Sequence, residues 1–241
     1  MNSKRYWVCG KQTVCEIIKN KRRTIYEIVI SEKNSISNNS LFNDYKNIIT
    51  FASIKQISKI LDNNEIRHQG FAALISPLEA DLSKQDYSKL NNLVALNNVS
   101  DTRNIGSIIR TCAAFGVEGL LVDKKYFKED SLAMNKTACG GTEKLDIYQL
   151  SNIKYGLEIL KKQNFKIISF SSNSNKIIDQ TTFNKKNVLI FGSEDVGISN
   201  NILNKSDEII KINTVDNESL NVACSVSSAL TVLLYLKKFG K

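Results

Sequence analysis

The chain holds a single proline, Pro77, and a single histidine, His68, among 241 residues. With so little proline, its turns must be made by Gly, Asn and Ser. One histidine leaves no His-rich metal cluster, and no G-x-S-x-G stretch accompanies it, which sets aside a Ser-His-Asp hydrolase. His68 therefore reads as a structural residue. The five cysteines, Cys9, Cys15, Cys112, Cys139 and Cys224, are odd in number, scattered and without a C-x-x-C pair. That excludes zinc ligation and a disulfide framework, and predicts free, mostly buried thiols in a reducing compartment. No apolar run reaches the roughly 18 residues needed to span a membrane. The start, MNSKRYWVCGK, has no apolar signal segment. The expectation is a cytoplasmic protein with neither membrane nor metal.

What is present is ordinary globular material, with 42% hydrophobic and 24% charged residues. The length suffices for a sizeable core in one or two domains. A net charge of +9 favours a polyanionic partner. Before residue 24 stand seven basic residues, Lys4, Arg5, Lys11, Lys19, Lys21, Arg22 and Arg23, against one acid, Glu16.

Residues 1–77 read as one segment: helix 13–20, strand 26–31, a polar Ser/Asn-rich loop over 33–47, strand 48–52, helix 53–61 and strand 71–75. Residues 78–91 are polar with few apolar anchors and are predicted to be a linker. From 92 to 241 strands and helices alternate. Strands are expected at 93–96, 119–122, 145–148, 165–170, 188–191 and 209–212, and helices at 105–115, 153–163 and 222–239. Such alternation predicts an α/β domain with a mostly parallel sheet covered on both faces.

Three stretches could carry chemistry. Asp101 to Arg110 follows a strand and opens a helix whose core stripe is Ile105, Ile108, Ile109 and Cys112. Gly106 and Arg110 are four apart on another face, where a glycine beneath an arginine leaves room for a polyanion. Gly192, Glu194 and Gly197 lie in a glycine turn after an apolar strand, with neither a dinucleotide fingerprint nor a P-loop. Last, Ile212 leads into a polar loop holding Asn213, Thr214, Asp216, Asn217, Glu218 and Ser219. Ser219 is the expected N-cap of a helix with the stripe Val222, Val226, Ala229 and Leu233. A strand, a polar loop and a helix start form the usual ligand position of an α/β protein. Gly140-Gly141-Thr142-Glu143 reads as a turn.

Taken together, Asn104-Ile105-Gly106 with Arg110 and Ala114-Phe115-Gly116, then Gly192-Ser193-Glu194-Asp195-Val196-Gly197, then Ser219-Leu220-Asn221-Val222, resemble the three motifs of the SpoU (TrmH-type) RNA 2′-O-ribose methyltransferases. The resemblance covers about residues 92–236. Gly10 and His68-Gln69-Gly70 resemble, more loosely, the small RNA-binding domain of the family's ribosomal-RNA branch.

The resemblance implies more than spacing shows. It implies a C-terminal parallel-sheet domain with a deep trefoil knot, the SPOUT fold, over 92–241. A small ribosomal-protein-like α/β RNA-binding domain would occupy 1–77. S-adenosyl-L-methionine would lie in the knot against Gly192, Ile212 and Leu220. Arg110, Asn104, Glu194, Ser219 and Asn221 would form the catalytic set, and Lys21, Arg22, Arg23 and Arg103 would contact RNA. A homodimer through the C-terminal helix would share its active sites. The implied reaction is methylation of a guanosine ribose in large-subunit (23S) rRNA. The alternatives are the same chemistry on tRNA, or a non-catalytic RNA-binding protein. Thr102, Leu145 and Asn213-Thr214 depart from the family pattern, standing where prolines, or a proline and a methionine, are usual. The loop after Ile212 is one residue short and lacks its usual glycine.

Overall fold

A computed structural model describes residues 4–34, 40–215 and 218–239. Asp216 and Asn217 of the polar loop lie outside the described residues, as do 35–39 of the Ser/Asn-rich loop.

The first body is a mixed four-stranded sheet in the order β1-β4-β2-β3. Its strands are β1 (Tyr6–Cys9), β2 (Ile25–Ser31), β3 (Ile49–Ala52) and β4 (Phe71–Ile75), with helices α1 (Lys11–Asn20) and α2 (Ile54–Ile60). Two apolar clusters cover its faces, one around Val14, Ile17, Ile28, Ile30 and Phe71, the other around Val29, Ile57 and Leu61. Ser53 starts α2 through a capping box with Gln56. The polar stretch expected as loop contains a 3₁₀ segment over Ser40–Ile48, which buries Phe42. β1 was not expected; it is four residues long and pairs antiparallel with β4.

Residues 78–91 are packed against the second body. Leu82 and Leu90 are buried in a cluster with Leu93, Leu121 and Tyr148, and two 3₁₀ turns carry them there.

The second body is a six-stranded parallel sheet in the order β10-β8-β9-β5-β6-β7. Its strands are β5 (Asn92–Asn97), β6 (Gly119–Asp123), β7 (Asp146–Leu150), β8 (Lys166–Phe170), β9 (Asn187–Gly192) and β10 (Glu208–Ile210). The helices are α3 (Thr102–Ala114), α4 (Leu132–Ala138), α5 (Ile153–Lys162), α6 (Asn200–Leu203) and α7 (Val222–Phe239). Both predicted stripes are buried: Ile105, Ile108, Ile109 and Cys112 on α3, and Val222, Val226, Ala229 and Leu233 on α7. Each isoleucine, valine and leucine among them contributes about 1.5–3 kcal/mol by leaving water. The chain runs outward through β5, β6 and β7, then returns across β5 to β8 and β9. The strand order thus reverses between β9 and β5, where the C-terminal strand ends open a crevice.

The two bodies are joined through α4 and the turn after it. The Arg23 side chain, 3% exposed, donates from Nε to Glu143 Oε1 at 2.8 Å; the Glu143 side chain is 1% exposed. The same guanidinium donates to Tyr6 Oη at 2.7 Å and to the Ser76 carbonyl at 3.0 Å. Arg23 was expected on RNA. It is instead an internal cation, because its partner lies 120 residues away and only folding brings them together. Lys21 pairs with Asp44, and Arg22 with Asp146.

Gly106 also differs from expectation. A Cβ built on it would lie 2.5 Å from the Met134 carbonyl oxygen and 2.9 Å from Thr137 Cβ. Its job is close packing of α3 on α4, not room for a polyanion. Of the cysteines, Cys9 and Cys112 are buried, Cys15 and Cys139 half-buried and Cys224 exposed. Burial pushes the Cys9 thiol up to about 11.

Candidate active site

Asp101 ends the loop after β5. Its carboxylate accepts from the Asn104 backbone N at 2.7 Å, capping α3. The cap fixes Asn104 in the first turn, beside the end of β9. Asn97 of β5 pairs with Gly192 of β9, and the Asn97 side chain accepts from Ser199 N at 2.9 Å. The 193–198 loop is thereby pinned to the sheet end. Gly192 cannot bear a side chain there, since its Cβ would fall 2.1 Å from Gly197 C and 2.4 Å from Ile198 N.

Three motif residues meet. Glu194 Oε1 accepts from Asn104 Nδ2 at 3.1 Å, from Asn221 Nδ2 at 2.6 Å and from Val222 N at 3.3 Å. Asn221 Nδ2 also reaches Asn104 Oδ1 at 3.1 Å. The Asn221 side-chain oxygen accepts from Ala223 N at 2.9 Å. Asn221 is therefore the residue that caps α7, where Ser219 was expected to do so. Ser219 is two residues further out and lines the cavity.

That cavity, about 430 Å³, lies beyond the ends of β8, β9 and β10. This is within the roughly 300–1,000 Å³ usual for small-molecule sites. Phe170 and Phe191 stack at 4.6 Å between ring centres and form part of its apolar wall. Gly192, Ile212, Ser219 and Leu220 line it, as do the carboxylates of Glu194, Asp195 and Glu218, with Lys211 the one basic residue among the described residues. Phe170 and Ser171 to Asn173 were not foreseen. The signal available was their position at the C-terminal end of an apolar strand.

Arg110 and Arg103 do not line this cavity. Both are exposed on α3. Arg110 stands six residues past Asn104, about 9 Å along the helix at 1.5 Å per residue. His68 lies outside the site. It is 4% exposed; its Nδ1 accepts from Gly70 N at 3.1 Å, and its Nε2 is 3.2 Å from Ser58 Oγ. Burial, with the Lys136 ammonium nearby, holds the imidazole below its ordinary value.

Comparison with known proteins places these features in a wider setting. Residues 91–231 match the model of the SpoU rRNA methylase family, and residues 7–80 match that for RNA 2′-O ribose methyltransferase substrate binding. A TrmH family tRNA/rRNA methyltransferase of Staphylococcus aureus (strain MSSA476) is 30% identical over 167 residues, 66% of this chain and 67% of that protein. A Mycobacterium leprae protein named as an uncharacterized tRNA/rRNA methyltransferase is 27% identical over 176 residues, 70% of this chain but only 57% of that protein. The chain thus spans little more than half the length of the mycobacterial relative. The crystal structure of the SpoU methyltransferase AviRb from Streptomyces viridochromogenes, in complex with AdoMet, shares the fold with a TM-score of 0.83. It covers 98% of this chain and 92% of that one at 15% identity.

Proposed function

This chain belongs to the SpoU rRNA methylase family, and from that membership we propose that it is an S-adenosyl-L-methionine-dependent 2′-O-methyltransferase acting on a guanosine of large-subunit rRNA. The observation that carries the proposal is the Glu194 carboxylate joining Asn104 and Asn221 at the rim of the strand-end cavity.

The cavity fits the cofactor. Its stacked phenylalanines suit an adenine ring, and three carboxylates against one lysine suit a sulfonium and an ammonium. Gly192, Ile212 and Leu220 would hold the cofactor, largely through backbone groups. When bound, S-adenosyl-L-methionine supplies a methyl group already activated on a sulfonium. The protein must then align a ribose 2′-hydroxyl with that methyl and manage one proton. Asn104, Ser219 and Asn221 position the ribose, and Glu194 holds both asparagines. Arg110 binds the substrate phosphate and stabilises the 2′-oxygen as negative charge develops. A guanidinium, with a pKa above about 12, is ill suited to take the proton itself.

Because Arg110 stands apart from the cavity within one chain, the reading includes a homodimer in which α7 brings a second copy alongside. Leu234 and Tyr235 on α7 are 42% and 62% exposed, which supports it. The 193–198 segment faces residues 211–214 and 218–220 across the cavity, which supports a knotted threading of the C-terminal run. The match of residues 7–80 to a substrate-binding domain favours rRNA over tRNA.

Incubating the purified protein with labelled cofactor and total RNA tests the proposal. Label in 23S rRNA, resistant to base and mapped to a guanosine ribose, is expected. Label confined to tRNA would move the substrate to the alternative. Cofactor binding without label in any RNA would leave a non-catalytic RNA-binding protein. Arg110→Ala should bind cofactor nearly as well and transfer no methyl; unchanged turnover would remove Arg110 from the mechanism.

A further inference from the structure

The basic residues near the start of the chain are not equivalent once their partners are known. Lys19 pairs with Glu16 at 3.2 Å, Lys21 with Asp44 at 3.6 Å, Arg22 with Asp146 and Arg23 with Glu143. Nearby Lys144 pairs with Glu16 at 3.3 Å. The C-terminal end of α1 is thereby largely neutralised. Among the described residues, Lys11, Lys136, Arg103 and Arg110 stand in no ion pair with a carboxylate. An uncompensated cation projects a field; a paired one projects little.

These four are brought to one seam by glycines. A Cβ on Gly10 would meet Lys136 Nζ at 2.6 Å, and one on Gly140 would meet Glu16 Cβ at 2.6 Å. Both lay the α4 region against α1. On its other side, a Cβ on Gly141 would stand 3.1 Å from the Ile109 carbonyl oxygen and 3.2 Å from Arg110 Cα. Residues 134–141 are thus held between the start of α1 and the middle of α3. Arg103 and Arg110, seven residues apart, repeat along one exposed face of α3, about 10 Å from each other.

Lys136 has the most telling surroundings. Its ammonium donates to Gln69 Oε1 at 2.8 Å, and the same oxygen accepts from Lys11 N at 3.3 Å. Gln69 is exposed at φ 57, in a turn locked by the bond from Gly70 N to His68 Nδ1. A neutral amide aims the ammonium without cancelling its charge and leaves two of its three N–H donors for another acceptor. That gives His68-Gln69-Gly70 and Gly10 a task that methyl transfer alone does not assign them.

We propose that the RNA backbone crosses the seam between the two bodies over Lys11, Lys136, Arg110 and Arg103, with Lys136, held by Gln69, gripping a phosphate, and that it does not run over residues 21–23. This deepens the RNA-methyltransferase reading and rests on it. The occupant is a phosphodiester strand, since the row offers spaced cations.

The test is fluorescence anisotropy of the full chain with a fluorescein-labelled 20-nucleotide single-stranded RNA, titrated at several salt concentrations without cofactor. Lys11→Gln with Lys136→Gln should make the slope of log K against log salt shallower by about 1.4, at about 0.7 per lost phosphate contact. Lys136→Arg should restore its share, whereas Lys21→Gln with Arg22→Gln should leave the slope unchanged. An unaltered slope in the Lys11/Lys136 pair overturns the proposal, as does an equal loss in the Lys21/Arg22 pair. So does failure of Lys136→Arg to restore the slope in a variant of unchanged Tm. Binding is read without methyl transfer, so a protein that binds along this row and methylates nothing would sink the catalytic reading and leave this one standing.

Discussion

Glu194 Oε1 lies 2.6 Å from Asn221 Nδ2, across 27 residues of chain that include the loop beside the cavity. That carboxylate also sits at the first N–H of α7, where the positive end of the helix dipole favours an anion. One side chain thus fixes two asparagines and a helix start. Glu194→Ala should release all three. Methyl transfer should fall on the order of 100-fold, the usual cost of lost positioning, with the far-ultraviolet circular dichroism unchanged. Turnover equal to wild type would show that the asparagines are held by something else.

Gly192→Ala tests the cavity itself. Its methyl group would overlap the backbone of Gly197 and Ile198, so the 193–198 loop must move. The expected cost to folding is about 1–3 kcal/mol, as for other overpacked sites. Calorimetric titration with S-adenosyl-L-methionine should show binding weakened beyond measurement. Retained affinity would place the cofactor away from this strand end.

The Arg23–Glu143 pair is buried on both sides. Arg23→Ala strands a carboxylate in the seam and should cost about 3–5 kcal/mol, read as a lower urea midpoint. Arg23→Met with Glu143→Met should recover much of that loss, because two apolar side chains need no counter-charge. A double variant no better than the single would assign the pair a role beyond electrostatics.

His68 makes stability depend on pH in a defined direction. Burial depresses its pKa in the folded chain. Above the ordinary imidazole value of about 6.5 both folded and unfolded chains carry it neutral, and its contribution is complete. Below that value the unfolded chain takes up a proton that the folded chain resists, so stability declines as pH falls toward the folded pKa. Tm should therefore drop between pH 7 and pH 5, and His68→Gln should flatten that part of the profile. Parallel profiles for the two proteins would show that other groups set the acid limb.

The second body was largely legible from the sequence, for a physical reason. Strands buried on both faces read as continuous apolar runs, as in Val188 to Phe191, and amphipathic helices announce themselves by stripes such as Ile105 to Cys112. The meeting of Asn104, Glu194 and Asn221 was implied by the resemblance of the three motifs to the SpoU family, and not by their spacing. What stayed hidden depends on distant partners. Arg23 looks like a surface cation until Glu143 arrives from 120 residues away. Gly106 looks like an opening until α4 closes on it. α4 is seven residues long, and its polar positions Asn135 and Thr137 are spent on local bonds, to the carbonyls of Glu129 and Ser131 and of Ala133. Ser219 was the best cap by residue type; Asn221 won because Glu194 already holds its amide in place.

The glycines flanking α4 have a consequence for how an RNA is chosen. With Gly10 and Gly140 clasping α1 on one side, and Gly106 and Gly141 clasping α3 on the other, the two bodies share α4 as a common spine. On the RNA path proposed above, the molecule would work as a gauge of constant span. A nucleotide would then qualify by how far it stands from the feature being gripped, and any bending needed to bridge that interval would fall to the nucleic acid.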